Sequence, residues 1–213
     1  MIAGRYRYVA VEGPIGAGKT SLTRRLAEHY QAQLLLEKPE ANPFLERFYS
    51  DRKRYALPTQ LFFLFQRVQQ LEELRQLDLF GTALFADFLL DKDPLFARLT
   101  LADDELRLYE QILAHLKPQT PAPDLVIYLQ ANPSVLAERV ARRANPIEAR
   151  IDEDYLEALA ASYTRYFHEY DEAPVLIVNT EHLNPIDSPD DFALLLERIG
   201  RLRGRREYFN LAA

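Results

Sequence analysis

The chain has 213 residues, 48% of them hydrophobic, and a formal net charge of −6, which together suit one soluble α/β domain spanning 1–213. It has no cysteine, which excludes disulfides and thiolate zinc sites, and no apolar stretch of roughly twenty residues that would span a membrane. Because the charge is negative and no leader-like segment opens the sequence, we expect a cytoplasmic protein that does not bind a nucleic acid polymer.

The first predicted strand, Tyr6 to Val11, leads into the sequence GPIGAGKT, and a helix follows from about Lys19. This is the phosphate-binding pattern G-x-x-x-x-G-K-[ST] in the strand–loop–helix context that it requires. Glycines let backbone N–H groups surround a phosphate chain, so we expect Lys19 to reach the β and γ phosphates and Thr20 to ligate Mg²⁺. The predicted nucleotide-binding residues are Gly13, Pro14, Ile15, Gly16, Ala17, Gly18, Lys19, Thr20 and Ser21.

Further apolar runs alternate with helical segments along the rest of the chain. This alternation predicts a five-stranded parallel sheet with helices on both faces and ligands at the carboxyl ends of the strands. In combination with the phosphate-binding loop, we interpret it as a P-loop kinase fold. We interpret the basic run 201–208 as a solvated end of the last helix. The predicted strands are Gln33–Leu36, Thr82–Phe85, Asp124–Gln130 and Val175–Val178, and the predicted helices are Pro58–Leu77, Asp103–Leu116, one capped by Asn132, Asp152–Asp171 and one capped by Ser188.

Two acids follow predicted strands at the ligand edge of this sheet. A kinase needs a carboxylate that accepts a hydroxyl proton and a second acid near the metal, and Glu37 and Asp87 lie where such groups belong. From position alone, a solvated or capping acid is an equal alternative for each of them.

The long predicted helix carries a polar pair beside an aromatic stripe. Gln60 and Arg67 are two turns apart and share a face next to Phe63. Such a pair could recognise a flat base by hydrogen bonds and stacking, whereas ordinary helix surface is the alternative.

Three arginines, Arg139, Arg142 and Arg143, end the helix that Asn132 caps. The segment after them contains a proline and breaks the helical period, as a lid at about 143–151 would. Lid arginines often stabilise transferred phosphate, although cations at this position also stabilise a helix dipole.

Blocks across nearly the whole chain resemble the deoxyribonucleoside kinase family, especially its bacterial deoxyadenosine and deoxyguanosine kinase branch. They read VEGPIGAGKTSL, EKPEANPFLERFYSD, QLFFLFQR, DKDPLFA, IYLQANPSVLAERVARR and VNTEHLNP. The resemblance implies ATP- and Mg²⁺-dependent phosphorylation of a deoxynucleoside at its 5′-hydroxyl, with purines preferred and deoxyadenosine first. It also implies a homodimer packed through helices.

The resemblance further implies individual roles. Glu37 would be the base that accepts the 5′-hydroxyl proton, and the loop 179–184 would hold the donor adenine. Tyr49 and Glu148 would bind the 3′-hydroxyl, and Gln60, assisted by Arg67, would bind the base. The catalytic residues Lys19, Arg139 and Arg143 would contact the phosphates.

One departure from the family pattern concerns its acid-Arg-Ser motif after the third strand. Here the sequence is Ala86-Asp87-Phe88, so Asp87 would supply the acid for metal and substrate, and Lys92 or a lid arginine would replace the missing cation. Glu40 is an alternative base, because the family's Glu-Pro pair is interrupted by Lys38.

Two other functions are compatible with a phosphate-binding loop. A nucleoside monophosphate kinase would carry additional arginines toward its acceptor. A nucleotide-dependent switch of the GTPase type normally carries Asn-Lys-x-Asp, which this sequence does not contain.

Overall fold

Six short strands form one parallel sheet in the order β2-β3-β1-β4-β5-β6. The computed structural model describes residues 5–76, 83–116 and 122–211, and all five strand pairings in this part of the chain are parallel. The strands are β1 (Tyr8–Glu12), β2 (Gln33–Leu35), β3 (Leu84–Ala86), β4 (Leu125–Gln130), β5 (Val175–Asn179) and β6 (Arg206–Phe209).

Helices connect the strands and cover both faces of the sheet. They are α1 (Lys19–Tyr30), α2 (Leu45–Ser50), α3 (Arg52–Gln76), α4 (Asp93–Thr100), α5 (Asp103–Leu116), α6 (Pro133–Arg143), α7 (Glu153–Glu169) and α8 (Pro189–Arg201). No helix in these described ranges is long and apolar enough to cross a membrane.

Side chains of the central strands alternate between two apolar layers. Val9 and Val11 of β1 pack with α1 and α8, whereas Ala10 between them packs with α7 on the opposite face. Strands β4 and β5 alternate in the same way. Because a strand has a period of two, burial on both sides requires helices on both sides, and the predicted parallel sheet with two helical layers is confirmed.

The prediction of five strands is wrong, because residues 206–209 add a sixth. Strand β6 pairs in parallel with β5, with Val175 opposite Arg206 and Val178 opposite Phe209. The predicted helix end at 201–208 is wrong for the same reason, since α8 stops at Arg201. An edge strand pairs through its backbone on one side only, so it tolerates charged side chains that hide the usual apolar signal.

The long helix α3 begins at Arg52 instead of the predicted Pro58. Asp51 caps it, accepting a hydrogen bond from the Arg54 N–H at 3.3 Å. Pro58 therefore lies inside the helix and forfeits one backbone hydrogen bond, although proline usually marks a first turn. The predicted end at Leu77 and the predicted start of the third strand at Thr82 lie outside the described residues.

The predicted lid follows α6 directly. Ala144 adopts a left-handed conformation with φ of 51° and ends the helix. One turn of 3-10 helix at Glu148–Arg150 then precedes α7, and the Arg150 guanidinium donates to the Ser50 hydroxyl of α2. The segment 143–151 thus joins α6 to α7 while contacting α2.

Candidate active site

The phosphate-binding loop connects β1 to α1 at the carboxyl edge of the sheet. Gly16 and Gly18 have φ angles of 85° and 93°, which only glycine adopts readily. A Cβ atom on Gly16 would lie 2.7 Å from the Leu136 carbonyl oxygen, and one on Gly18 would lie 2.5 Å from Ile186 Cδ1. The loop therefore packs without spare room against α6 and against the segment after β5.

Lys19 opens α1 and folds back over the loop. Its ammonium donates to the carbonyls of Gly13 at 2.7 Å and Pro14 at 3.3 Å. Burial lowers the pKa of Lys19 to about 8, and the nearby Lys92 ammonium acts in the same direction. The loop carbonyls thus hold a cation over the loop, at the end where phosphate would bind.

Asp87 lies between the phosphate-binding loop and Glu37. It is 2% exposed, and its Oδ2 accepts from the Thr20 hydroxyl at 2.5 Å while its Oδ1 accepts from the Glu37 backbone N–H at 2.7 Å. These contacts arise because β3 lies between β1 and β2, so the ends of three strands meet. The two predicted metal ligands, Thr20 and Asp87, are therefore in contact, and their oxygens are the hard donors that Mg²⁺ prefers.

Glu37 and Asp93 flank the same guanidinium. Arg67 of α3 contacts a carboxylate oxygen of each, and Arg67 and Asp93 are almost fully buried. Burial by itself would raise the pKa of Glu37, but Arg67, Lys92 and Lys19 outweigh this effect and hold the pKa at about 2. Glu37 is therefore ionised at neutral pH.

A cavity beside Asp87 collects the residues predicted to bind substrate. Aromatic rings of Phe48, Phe63 and Phe96 line it as well, and the Phe63 ring centre lies 5.2 Å from the Arg67 guanidinium carbon. The predicted substrate and lid residues that line this cavity are Glu37, Tyr49, Gln60, Arg67, Asp87, Arg143 and Glu148. The alternative base Glu40, the candidate cation Lys92 and the loop residues Ile15, Gly16, Gly18, Lys19, Thr20 and Ser21 line it as well.

Residues of the segment 143–151 line one side of this cavity. Arg143 donates to Glu148 at 2.9 Å and 3.2 Å, and burial raises the pKa of the nearby Tyr49 phenol far above its ordinary value. Tyr49 is therefore neutral at physiological pH and keeps its hydroxyl proton to donate.

Arg139 occupies a different position from Arg143. Its guanidinium donates to the Thr180 hydroxyl at 2.9 Å and to the Thr180 carbonyl at 2.5 Å. It lines a second cavity, which lies between the glycines of the phosphate-binding loop and the segment 180–187 after β5. Only Arg143 among the predicted arginines lines both cavities.

Sequence reasoning missed the buried acid Glu12 at the end of β1. Its Oε1 accepts from the Lys92 ammonium at 2.9 Å and from the Leu89 N–H at 2.6 Å. Its Oε2 accepts from the Gly13 N–H at 3.1 Å and from the Tyr163 hydroxyl at 3.2 Å. The sequence does contain one indication of this residue, because Glu12 is an acid at the end of an otherwise apolar strand.

Asp93 was also missed, and Lys92 was considered only as a replacement cation. Both lie in the block DKDPLFA, where Asp93 and the following Pro94 read as an ordinary start of a helix. Their pairing with Arg67 and Glu12 depends on contacts between distant segments, which the local sequence does not reveal.

Known proteins of one family resemble this chain along most of its length. Residues 9–202 match the model of the family described as deoxynucleoside kinase. The chain is 32% identical over 200 residues to a deoxyguanosine kinase of Bacillus subtilis, covering 92% of this chain and 97% of that protein. It is 29% identical over 190 residues to a deoxyadenosine kinase of Lactobacillus acidophilus, covering 83% and 86%.

A solved structure shares the fold. Deoxyadenosine kinase from M. mycoides, with the products dCMP and a flexible dCDP bound, superposes with a TM-score of 0.80 at 23% identity, covering 92% of this chain and all of that one. The match over residues 9–202 and the relative that is 32% identical confirm the predicted resemblance. The chain therefore belongs to the deoxynucleoside kinase family.

Proposed function

We propose that this kinase transfers the γ-phosphoryl group of ATP, bound with Mg²⁺, to the 5′-hydroxyl of a deoxynucleoside, preferring purines and deoxyadenosine first. The chain of contacts from Thr20 through Asp87 to Glu37 carries this proposal. It joins a phosphate-binding loop directly to a cavity whose lining includes the Glu37 carboxylate. The purine preference is supported by two relatives, a deoxyguanosine kinase and a deoxyadenosine kinase.

On the donor side, the loop N–H groups and Lys19 would bind the phosphates of ATP. Thr20 and Asp87 would hold Mg²⁺, which supplies charge neutralisation between the phosphates when bound. Two protein oxygens suffice because Mg²⁺ usually completes its shell with phosphate oxygens and water. Arg143 of the lid lines both cavities and would neutralise the transferring group, with Arg139 beside the donor.

On the acceptor side, Glu37 would take the proton of the 5′-hydroxyl. The 5′-oxygen then forms a bond to the γ phosphorus, the bond from that phosphorus to the β–γ bridging oxygen breaks, and ADP leaves. Arg67 keeps the Glu37 carboxylate ionised and ready to accept the proton. Most of the acceleration would come from positioning and charge neutralisation.

The rest of the cavity would bind the nucleoside. Gln60 would hydrogen-bond the edge of the base between the aromatic rings, with Arg67 behind it. Tyr49 and Glu148 would bind the 3′-hydroxyl, since a neutral phenol donates and a carboxylate accepts. Lid closure over Glu148 and Arg143 would exclude water from the reacting phosphate.

Product analysis tests the proposal directly. Purified protein is incubated with ATP and each of the four deoxynucleosides, and in parallel with deoxyadenosine monophosphate, and the products are separated by chromatography. We expect deoxynucleoside monophosphates, formed fastest from a purine deoxynucleoside. Formation of diphosphate from the monophosphate, without reaction of the nucleosides, would instead identify a nucleoside monophosphate kinase.

We also propose that the chain acts as one domain and as a homodimer in the cytoplasm. The family resemblance supports the dimer, and the single continuous sheet supports one domain. Sedimentation equilibrium measures the state, and a species of 24.7 kDa at micromolar concentration would contradict the dimer.

A further inference from the structure

The amide of Gln60 is held by a threonine on the neighbouring helix. Gln60 is 5% exposed, and its Nε2 donates to the Thr100 Oγ1 at 3.3 Å. Thr100 is the last residue of α4, and its hydroxyl donates to the Phe96 carbonyl of the preceding turn at 2.7 Å.

The Phe96 carbonyl determines which end of the amide faces Thr100. A carbonyl oxygen can only accept, so the single proton of the Thr100 hydroxyl is committed to Phe96. The hydroxyl therefore presents a lone pair to Gln60, and the amide atom opposite it must be the donor Nε2. If the amide rotated by half a turn, Gln60 Oε1 would face the lone pair of the Thr100 hydroxyl. Two acceptors would then oppose each other unless Thr100 broke its hydrogen bond to Phe96.

The fixed amide leaves a defined edge toward the cavity. Gln60 Oε1 accepts no hydrogen bond from any residue that the structure describes, and Nε2 retains a second N–H. Gln60 lines the cavity whereas Thr100 lies behind it. The edge offered to a ligand is thus one acceptor and one donor in a fixed order.

Nucleobases divide into two classes with respect to such an edge. Adenine and cytosine present an amino group beside a ring nitrogen that accepts, whereas hypoxanthine, guanine and thymine present a carbonyl beside a ring N–H. For a base in one position, the two classes need opposite orientations of the amide. An amide held in one orientation therefore favours one class over the other.

We propose that Thr100 is a specificity-determining positioning residue, which orients the Gln60 amide and thereby makes the enzyme discriminate amino-type from carbonyl-type bases. This inference rests on the proposed function, in which the base lies against Gln60. Thr100 itself acts through Gln60 and does not touch the base.

The test compares 2′-deoxyadenosine with 2′-deoxyinosine, because their bases differ only at C6 and N1. We expect the ratio of their kcat/KM values to differ clearly from one in the wild-type enzyme. In Thr100→Val the ratio should move toward one by about fivefold to tenfold, the factor that one hydrogen bond supports. Thr100→Ser keeps the hydroxyl and should retain the wild-type ratio, and the KM for ATP should stay unchanged in both variants.

Thr164→Val is the matched control. This substitution removes a hydroxyl that hydrogen-bonds the Tyr128 hydroxyl at 3.3 Å, and Thr164 lines neither cavity. We therefore expect the wild-type ratio of kcat/KM values for deoxyadenosine and deoxyinosine. If Thr100→Val does not fold, as judged by circular dichroism, Thr100→Ala provides the same comparison.

Two results would overturn the inference: a wild-type ratio near one, or the wild-type ratio in a folded variant without the Thr100 hydroxyl. Gln60→Ala separates this failure from failure of the proposed function. If Gln60→Ala alters the ratio and Thr100→Val does not, only the role of Thr100 is wrong. If Gln60→Ala changes neither the ratio nor the KM for nucleosides, the proposed base pocket is wrong.

Discussion

At the scale of single residues, the charge state of Glu37 follows from three neighbouring cations. Burial opposes its ionisation, but Arg67, Lys92 and Lys19 reverse that effect. A carboxylate with a pKa of about 2 is a weak base. If Glu37 accepts the 5′-hydroxyl proton, its contribution to catalysis therefore depends on its being ionised and correctly placed when the nucleoside binds. The three cations around Glu37 therefore determine its charge state.

The first prediction concerns Glu37→Gln. The amide has nearly the same shape but cannot accept a proton, so we expect kcat to fall by about two to four orders of magnitude while the fold is retained. Steady-state kinetics with deoxyadenosine and a thermal melt measure both quantities. Turnover at the wild-type rate would show that Glu37 is not the base, and Glu40→Gln, measured in parallel, tests the alternative base.

The second prediction concerns pH and Arg67. Because Arg67 is the largest influence that lowers the pKa of Glu37, Arg67→Gln should raise this pKa. The acidic limb of kcat/KM for the nucleoside should therefore move to higher pH, from the wild-type pKa of about 2 toward the ordinary carboxyl value of 4.5. Arg67→Lys keeps a charge and should shift less. Identical acidic limbs in wild type and Arg67→Gln would contradict the prediction.

The same lowered pKa affects stability. A carboxyl whose folded pKa lies below its unfolded value stabilises the fold above the unfolded pKa, and this contribution is lost as the pH falls toward the folded value. For Glu37 this loss of stability takes place as the pH falls from the ordinary carboxyl pKa of 4.5 to about 2.

At the scale of elements, the connection from β1 to α1 depends on glycine conformation and on close packing. Gly16 combines a φ of 85° with a carbonyl only 2.7 Å from where a Cβ would lie, so two independent restraints act at one residue. The carbonyl belongs to Leu136 of α6, which makes the loop geometry dependent on the helix that carries the arginines.

The third prediction is that Gly16→Ala deforms this loop. We expect the KM for ATP to rise by more than about tenfold, with a smaller change in the KM for the nucleoside, because the added methyl displaces the loop N–H groups. Gly200→Ala in α8 is the matched control, since its Cβ meets nothing within 4 Å. The control should keep the wild-type KM values and gain up to about 1 kcal/mol of stability. Equal KM values for ATP in all three proteins would contradict this prediction.

Several elements could be predicted because their signals are local. Asn132 and Ser188 accept the expected capping bonds, from Ser134 N–H at 3.2 Å and Asp191 N–H at 3.1 Å. The apolar run of β4 and the phosphate-binding loop are equally local. Strand β6 was not predictable in this way, because Arg206 and Glu207 give it a surface composition and only its pairing with β5 makes it a strand.

The candidate site was predictable to the extent that strand ends converge in a parallel sheet. This rule brings Glu37 and Asp87 to the loop without any knowledge of their contacts. The partner of Arg67 was not predictable, because Asp93 becomes its neighbour only when α4 packs against α3. The functional roles of these residues stay predictions until the variants are measured.

At the scale of the whole molecule, Glu12 connects three parts of the fold. Its carboxylate bonds the phosphate-binding loop through Gly13, the segment after β3 through Leu89 and Lys92, and α7 through Tyr163. All four bonds are buried or nearly so, and a charged pair in such surroundings is tolerated only when it is fully hydrogen-bonded.

The fourth prediction follows from this pair. Lys92→Met leaves the Glu12 carboxylate buried without its cation, and we expect the free energy of unfolding to fall by about 3–5 kcal/mol. Adding Glu12→Gln should recover part of the loss, because the uncompensated charge is removed. Urea denaturation measures both variants. If Lys92→Met were as stable as the wild type, the ion pair between Lys92 and Glu12 would not stabilise the fold.

The strand order also has a consequence for biosynthesis. Thr20 and Asp87 are 67 residues apart, and β2 pairs with β3 and not with β1. While a ribosome is still making the chain, the phosphate-binding sequence emerges long before its acidic neighbour, and β2 must wait for β3 to enter the sheet. A nascent chain that stops before β3 therefore carries the nucleotide-binding sequence without the acid that completes it. The topology therefore delays assembly of the site until β3 has entered the sheet between β2 and β1.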